Sequence, residues 1–214
     1  GAVDMSLPTQ GQLGKYSKKF NCVMLPFVFN DYAQADKVLD GVFLKWAAPD
    51  LDKAGLVFLS NWEWGFRNLT NSKRQVNVHA DVKGLKVRNP PELPTQAAME
   101  ALGAVVATIN FNELQMALKT GVVDGQENPL SIIDSSRLYE VQKYLSLSGH
   151  IWNASLMVVS PGRWNKLSAE DRKVIEANAL KYRLVARELI REQDDKLLKA
   201  PKEQGLAVNE VALS

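Results

Sequence analysis

The sequence predicts an α/β fold, and three observations predict it. Short apolar, β-branched runs bounded by turn residues recur along the chain. Segments with helical periodicity separate several of them. Strand, helix, strand, helix is the order that builds a parallel sheet.

Taken in order, residues 56–59, 85–87, 105–109, 122–123 and 156–159 are expected to form buried strands. Helices are expected over 95–102 and 112–120. Gly103 and Gly121 follow them, each where a left-handed residue closes a helix. A third helix is expected over 130–139. The longest should begin after Ser168, whose hydroxyl can cap it with Asp171 in the first turn, and should run until Pro201 stops it. About 31 residues at 1.5 Å make a rod of about 46 Å. Ile175, Leu180, Tyr182, Leu184, Ala186, Leu189, Ile190 and Leu197 supply its apolar stripe. Such a helix could strap two lobes together, and a coiled coil or partner-binding arm fits the same pattern. Arg183, Arg187 and Arg191 recur at four-residue intervals, but Glu188, Glu192, Asp194 and Asp195 dilute them, so a solvated face is expected rather than a DNA-reading one.

A length of 214 residues suits one large domain or two small lobes. With 46% hydrophobic and 23% charged residues, disordered, collagen-like and disulfide-scaffold classes fall away. Twenty-six basic against 24 acidic residues leave +2, too balanced for a nucleic-acid partner. One cysteine, Cys22, excludes an internal disulfide and any multi-cysteine metal site. It lies beside Val23, Met24 and Leu25, which predicts a packed core thiol. No stretch reaches the roughly 18 apolar residues of a membrane span. Gly1-Ala2-Val3-Asp4 echoes Gly121-Val122-Val123-Asp124, and if both are helix-to-strand joints of similar lobes, the chain is an internal portion of a longer protein.

Catalytic motifs are scarce. His79 and His150 lack metal-ligand spacing, and neither a nucleophile elbow nor a glycine-rich phosphate loop is present. Asp124 and Glu127 could form an acid/base pair, although loop carboxylates more commonly hydrogen-bond backbone. Arginines at strand ends say more. Arg88 closes the run before Asn89-Pro90-Pro91, at the carboxyl edge where α/β sheets bind ligands, and Arg67 follows Trp62-Glu63-Trp64 at a second expected strand end. Two guanidinium forks suit a carboxylate ligand, and each could instead pair with a structural Asp or Glu. Asn128, ahead of Pro129, is either a helix N-cap or a ligand contact. Phe111 packs on a helix face with Leu114 and Leu118, or covers a ligand.

Five runs together resemble a known family. They are Leu25-Pro26-Phe27-Val28-Phe29, Gly65-Phe66-Arg67-Asn68-Leu69-Thr70-Asn71-Ser72, Lys83-Gly84-Leu85-Lys86-Val87-Arg88, the run Thr120 to Pro129, and Tyr139-Glu140-Val141-Gln142-Lys143-Tyr144-Leu145. In this order they resemble the solute-binding proteins of tripartite ATP-independent periplasmic (TRAP) transporters, the DctP-like family. The resemblance implies a two-lobed, periplasmic-binding-protein-like α/β fold with a long connecting helix, incomplete in this chain. Residues 1–65 would belong to lobe I, 66–154 to lobe II, 155–167 to a return crossing, 168–200 to the long helix and 201–214 to the start of a C-terminal segment. It also implies a periplasmic receptor, not an enzyme, without cofactor or metal. Its partners would be a small organic acid, most readily a C4-dicarboxylate or related acid, and TRAP membrane subunits. The family's carboxylate-binding arginine falls on Arg88, its second arginine on Arg67, its cleft asparagine on Asn128 and its ligand-side aromatic on Phe111. Trp64 stands where many relatives are expected to carry Asn, which reshapes the pocket wall. A dicarboxylate would use both arginines, whereas a sugar acid or keto acid would use one plus polar contacts. The competing function is an enzyme acting on a carboxylate in the same cleft, with Asp124, Glu127 or His150 as acid or base.

Overall fold

The computed structural model describes residues 3–199, 205–211 and 213. Seven strands among them join one sheet: β1 (Met5–Ser6), β2 (Val57–Asn71), β3 (Lys86–Asn89), β4 (Val105–Thr108), β5 (Gly125–Pro129), β6 (Tyr144–Val159) and β7 (Ala207–Glu210). Their order is β1-β6-β2-β5-β3-β4, with β7 also on β6. The expected parallel sheet is a mixed one. β3 pairs parallel with β4 and β5, and β7 with β6, but β2 runs antiparallel to both β5 and β6.

Two of the expected short strands are ends of long ones. Residues 56–59 overlap the start of the 15-residue β2, and 156–159 form the end of the 16-residue β6. Their remainders escape an apolar-pattern search because they carry buried polar groups: Asn61, Glu63, Arg67, Asn68, Ser146, His150 and Asn153. Residues 122–123 are not a strand but the turn ahead of β5, where Val123 is buried in the core. β2 bends where its register against β6 shifts between Glu63 and Gly65. Gly65 sits there at φ +103°, and a Cβ on it would meet Asp194 Oδ2 at 3.1 Å.

The helices are α1 (Lys19–Cys22), α2 (Tyr32–Val38), α3 (Leu44–Lys53), α4 (Leu93–Ala101), α5 (Phe111–Lys119), α6 (Leu130–Ser135), α7 (Pro161–Trp164) and α8 (Ala169–Lys199). Gly103 and Gly121 follow α4 and α5 with φ of +84° and +73°, the left-handed closures expected of them. The third expected helix stops early at α6, because Arg137 is left-handed and only a short 3₁₀ turn, Leu138–Val141, follows. Helix α8 has its cap as predicted: Ser168 Oγ accepts the Asp171 amide at 3.0 Å. Pro201, residues 200–204 of the expected helix end and C-terminal segment, and Gly1 and Ala2 of the echo lie outside the described residues.

Part of the expected apolar stripe of α8 faces the body, through Ile175 and Leu197, and part does not. Leu180, Tyr182, Leu184 and Leu189 are exposed, while Ala179, Arg187 and Asp194 are buried. The arginine ladder likewise corrects the expectation of a solvated face. Arg187 donates to both carboxylate oxygens of Asp40 at 2.6 and 2.8 Å, and Arg191 grips Glu63 and Asp36. Helical spacing identifies a face but not its partner; acids on α2, in the turn after it and on β2 supply one here. Cys22 is exposed rather than packed, its side chain leaving the core that its neighbours Val23 and Met24 enter.

Apolar side chains gather at both ends of the long strands. Leu13, Phe20, Leu39 and Leu51 pack with Trp152 and Leu156 of β6, while Leu145 packs with Leu114, Leu118 and Ile133. Leu69 of β2 joins Leu85, Val87 and Met99. Between these clusters β2 and β6 bury polar side chains, and the candidate site lies there.

Candidate functional site

β3 carries Arg88 between β4 and β5, its register partners being Ala107 and Gln126. The side chain is 2% exposed. Its Nε donates to the Ile109 carbonyl at 2.8 Å, and its guanidinium carbon stands 5.8 Å from the centre of the Phe111 ring. Among the described residues no carboxylate forms an ion pair with it. Burial pushes its pKa down from 12.5 to about 10, with attraction from Glu127 offsetting only part of that. A buried cation without an anion is costly, and a ligand carboxylate would remove the cost.

Arg67 behaves differently. It lies well inside β2 rather than at a strand end, opposite Pro129 of β5 and Ile151 of β6. Nε and Nη2 form a two-pronged pair with Glu127, Nη2 also donates to the Glu127 carbonyl, and Nη1 donates to Asn153 Oδ1 at 2.7 Å. The structural pairing left open by the sequence is thus made. Glu127 is fully buried, and burial alone would raise its pKa. Attraction to Arg67, the adjacent His150 and the hydrogen bonds from Arg67 outweigh that and hold it well below the usual carboxylate range. His150 Nε2 lies 3.3 Å from Glu127, with Nδ1 2.7 Å from Ser148 Oγ.

Asn128 is not a helix cap: it belongs to β5, and Pro129 precedes α6. Its amide lies between Gln126 Oε1, to which Nδ2 donates, and Arg67 Nη2, from which Oδ1 accepts at 3.3 Å. Phe111 opens α5 and is 46% exposed, so its ring does not pack in the core with Leu114 and Leu118 but flanks Arg88. Trp64 is half-buried and meets the neighbourhood through its carbonyl, which accepts from Ser131 Oγ at 3.4 Å. Arg88, Arg67, Asn128 and Phe111 are therefore gathered in one locale through β3, β5 and β2, while the Trp64 ring makes no polar contact with them.

Sequence reasoning missed four contributors. Asn89 donates to Glu127 Oε1 at 3.1 Å, and its own buried Oδ1 has no partner among the described residues. Asn153 holds Arg67 from β6. Glu92, 1% exposed, accepts from the Thr9 hydroxyl, 83 residues away. Its pKa is raised, chiefly by burial, with attraction to Arg67 opposing. The unbroken polar run Gln126-Glu127-Asn128 was the available signal for part of this network; nothing local marks Asn153 or Thr9. Of the three suggested acid/base groups, Glu127 is engaged with Arg67, Asp124 with the Lys86 amide at 2.9 Å and with Lys73, and His150 lies against Ser148 and Glu127. A cavity of about 600 Å³ lined by Tyr32, Phe66, Asn68 and Asp194 holds none of the predicted residues. The unpaired guanidinium, not that volume, marks the site.

Comparison with known proteins agrees with this picture. The family described as "DctP: Bacterial extracellular solute-binding protein, family 7" matches residues 1–212. The 2,3-diketo-L-gulonate-binding periplasmic protein YiaO of Escherichia coli (strain K12) is 33% identical over 208 residues, covering 97% of this chain and 63% of its own. The C4-dicarboxylate-binding periplasmic protein DctP of Rhodobacter capsulatus is 32% identical over 206 residues, covering 96% and 62%. The chain thus spans a little under two thirds of these relatives. A crystal structure of a TRAP periplasmic solute binding protein from Polaromonas sp. JS666 bound to D-erythronate superposes with a TM-score of 0.94 at 35% identity, covering 99% of this chain and 70% of that one.

Proposed function

The chain belongs to the DctP family of bacterial extracellular solute-binding proteins, and on that premise we propose that it is a receptor for a small organic acid rather than an enzyme. The observation that carries the reading is Arg88: 2% exposed, hydrogen-bonded through Nε alone and without a carboxylate partner among the described residues. A ligand carboxylate meets its free Nη groups in a two-pronged, charge-assisted pair, with Phe111 flanking the guanidinium and Asn128 orienting the acid. Arg67, clamped by Glu127, holds Asn128 and the strand geometry in place. Trp64 shapes the wall nearby.

The named relatives each bind an acid of this kind, a diketogulonate, a C4-dicarboxylate or erythronate, which supports the carboxylate class. In this reading residues 1–65 contribute to lobe I, 66–154 to lobe II, 155–167 return to lobe I, and α8 braces both. Lobe closure excludes water and strengthens the charge pair. The closed form is what TRAP membrane subunits receive in the periplasm, so ligand acts by shifting the open-to-closed population. A thermal-shift screen against organic acids tests the reading. A ligand at a hundredfold its dissociation constant adds about 2.7 kcal/mol, several degrees at this size. Failure of every carboxylate to raise the melting temperature would refute it.

A further inference from the structure

Between Arg88 and the N-terminal segment sits a buried carboxyl that the receptor reading does not use. Glu92 lies at the turn after β3. Its Oε1 accepts from Thr9, whereas its Oε2 is buried with no partner among the described residues. A Cβ on Gly11 would meet that oxygen, so the segment from Thr9 to Gly11 lies directly against it. A cavity of about 550 Å³ adjoins this seam, lined by Gly11, Gln12, Asn21, Pro91 and Leu93. The buried Asn89 Oδ1, on β3 next to Arg88, is a second acceptor without a donor.

Charge counting gives these groups a role. Arg67 is neutralised by Glu127, which leaves Arg88 as the buried guanidinium open to an anion. One carboxylate saturates it. Among the described residues, a second carboxylate on the same ligand would find no further buried cation left without a partner and would meet the charge of Glu92. Lys15 and Lys18 at the cavity rim are exposed, where an ion pair is worth less than about fivefold in affinity. Acceptors without donors instead suit ligand hydroxyls, and a site with unpaired buried acceptors discriminates strongly against a ligand that lacks the matching donor.

Resting on the receptor reading, we infer that Glu92 determines the substrate class: an acid with one carboxylate, held by Arg88, and hydroxyl groups that donate to Glu92. Ligand entry draws the Thr9–Gly11 segment back, and the ligand hydroxyl takes over the contact. Of the acids left open by the sequence, this selects a polyhydroxy monocarboxylate over a dicarboxylate.

Titration calorimetry with D-erythronate, succinate and butyrate as probe acids tests this. The unaltered protein should bind erythronate at least about tenfold more tightly than either other acid. Glu92→Gln, which keeps the Thr9 contact and removes the charge, should narrow the gap to succinate about tenfold. Glu92→Leu should bring erythronate down to butyrate. Succinate binding as tightly as erythronate in the unaltered protein, or an unchanged ratio in folded Glu92→Gln, overturns the inference and leaves the receptor reading intact. Absence of binding to all three acids in the unaltered protein overturns this inference, while the receptor reading falls only if the wider carboxylate screen also finds no ligand.

Discussion

Replacing Arg88 by Met should make the ligand-free protein more stable while abolishing acid binding. A guanidinium stays protonated at physiological pH, so its depressed pKa measures the cost of keeping the charge buried. A fall from 12.5 to about 10 corresponds to roughly 3 kcal/mol, at about 1.4 kcal/mol per tenfold step. Met fills the volume of the aliphatic stem without charge. The variant loses the bond from Nε to the Ile109 carbonyl, worth about 1 kcal/mol. The balance is a gain of about 2 kcal/mol, or a melting temperature about 4–8 °C higher at this size. Differential scanning calorimetry with and without the acid identified by the screen reads both effects. The parent should gain about 2.7 kcal/mol at a hundredfold the dissociation constant, and the variant nothing. A variant that melts below the parent, or that responds equally to acid, would refute the claim that Arg88 is held unpaired for a ligand.

Three other substitutions separate structural from binding roles. Glu127→Gln removes one partner of a fully buried pair and should cost about 3–5 kcal/mol in urea unfolding; a loss below about 1 kcal/mol would mean Arg67 finds another anion. Arg187→Lys should lower stability by about 1–2 kcal/mol despite keeping the charge, because an ammonium cannot reproduce the two-pronged contact with Asp40; equal denaturation midpoints would contradict this. Asp194 is the pH-sensitive group. Burial first, then the charges of Glu63 and Asp195, raise its pKa from 3.8 to about 6, against the opposing Tyr32 hydrogen bond. The folded carboxyl therefore keeps its proton to higher pH than the unfolded one, so its contribution declines as pH rises from about 4 to about 6 and stays unfavourable above. Asp194→Asn should remove that slope and raise stability at pH 7.5 by about 2–3 kcal/mol; parallel stability curves for the two proteins would count against it.

Helix legibility followed from local physics. Ser168 and Asp171 mark the start of α8, and Gly103 and Gly121 close two helices with positive φ, because caps and closures are decided within a few residues. The long strands β2 and β6 were visible only at their apolar ends, since Glu63, Arg67, His150 and Asn153 are buried by partners far away in sequence. The same limit obscured part of α8, whose inward face joins Ile175 and Leu197 with arginines that meet Asp36, Asp40 and Glu63, while Leu180, Leu184 and Leu189 are exposed.

The sequence by itself determined the residue types gathered in the candidate site, two guanidinium forks, an asparagine and an aromatic, and a motif order that identifies the family. The resemblance placed the carboxylate-binding arginine on Arg88 and the second on Arg67, but the residue pattern alone gave no physical reason for the difference. By that pattern Arg67 and Arg88 are equivalent, each a cation near an expected strand edge. Only the antiparallel pairing of β2 with β5, which sets Arg67 against Glu127, and the parallel pairing of β3, which leaves Arg88 without an acid, distinguishes them. The reason is electrostatic: a buried charge takes its meaning from the counter-charge within a few ångströms, and in a sheet that neighbour is chosen by register across strands rather than by distance along the chain.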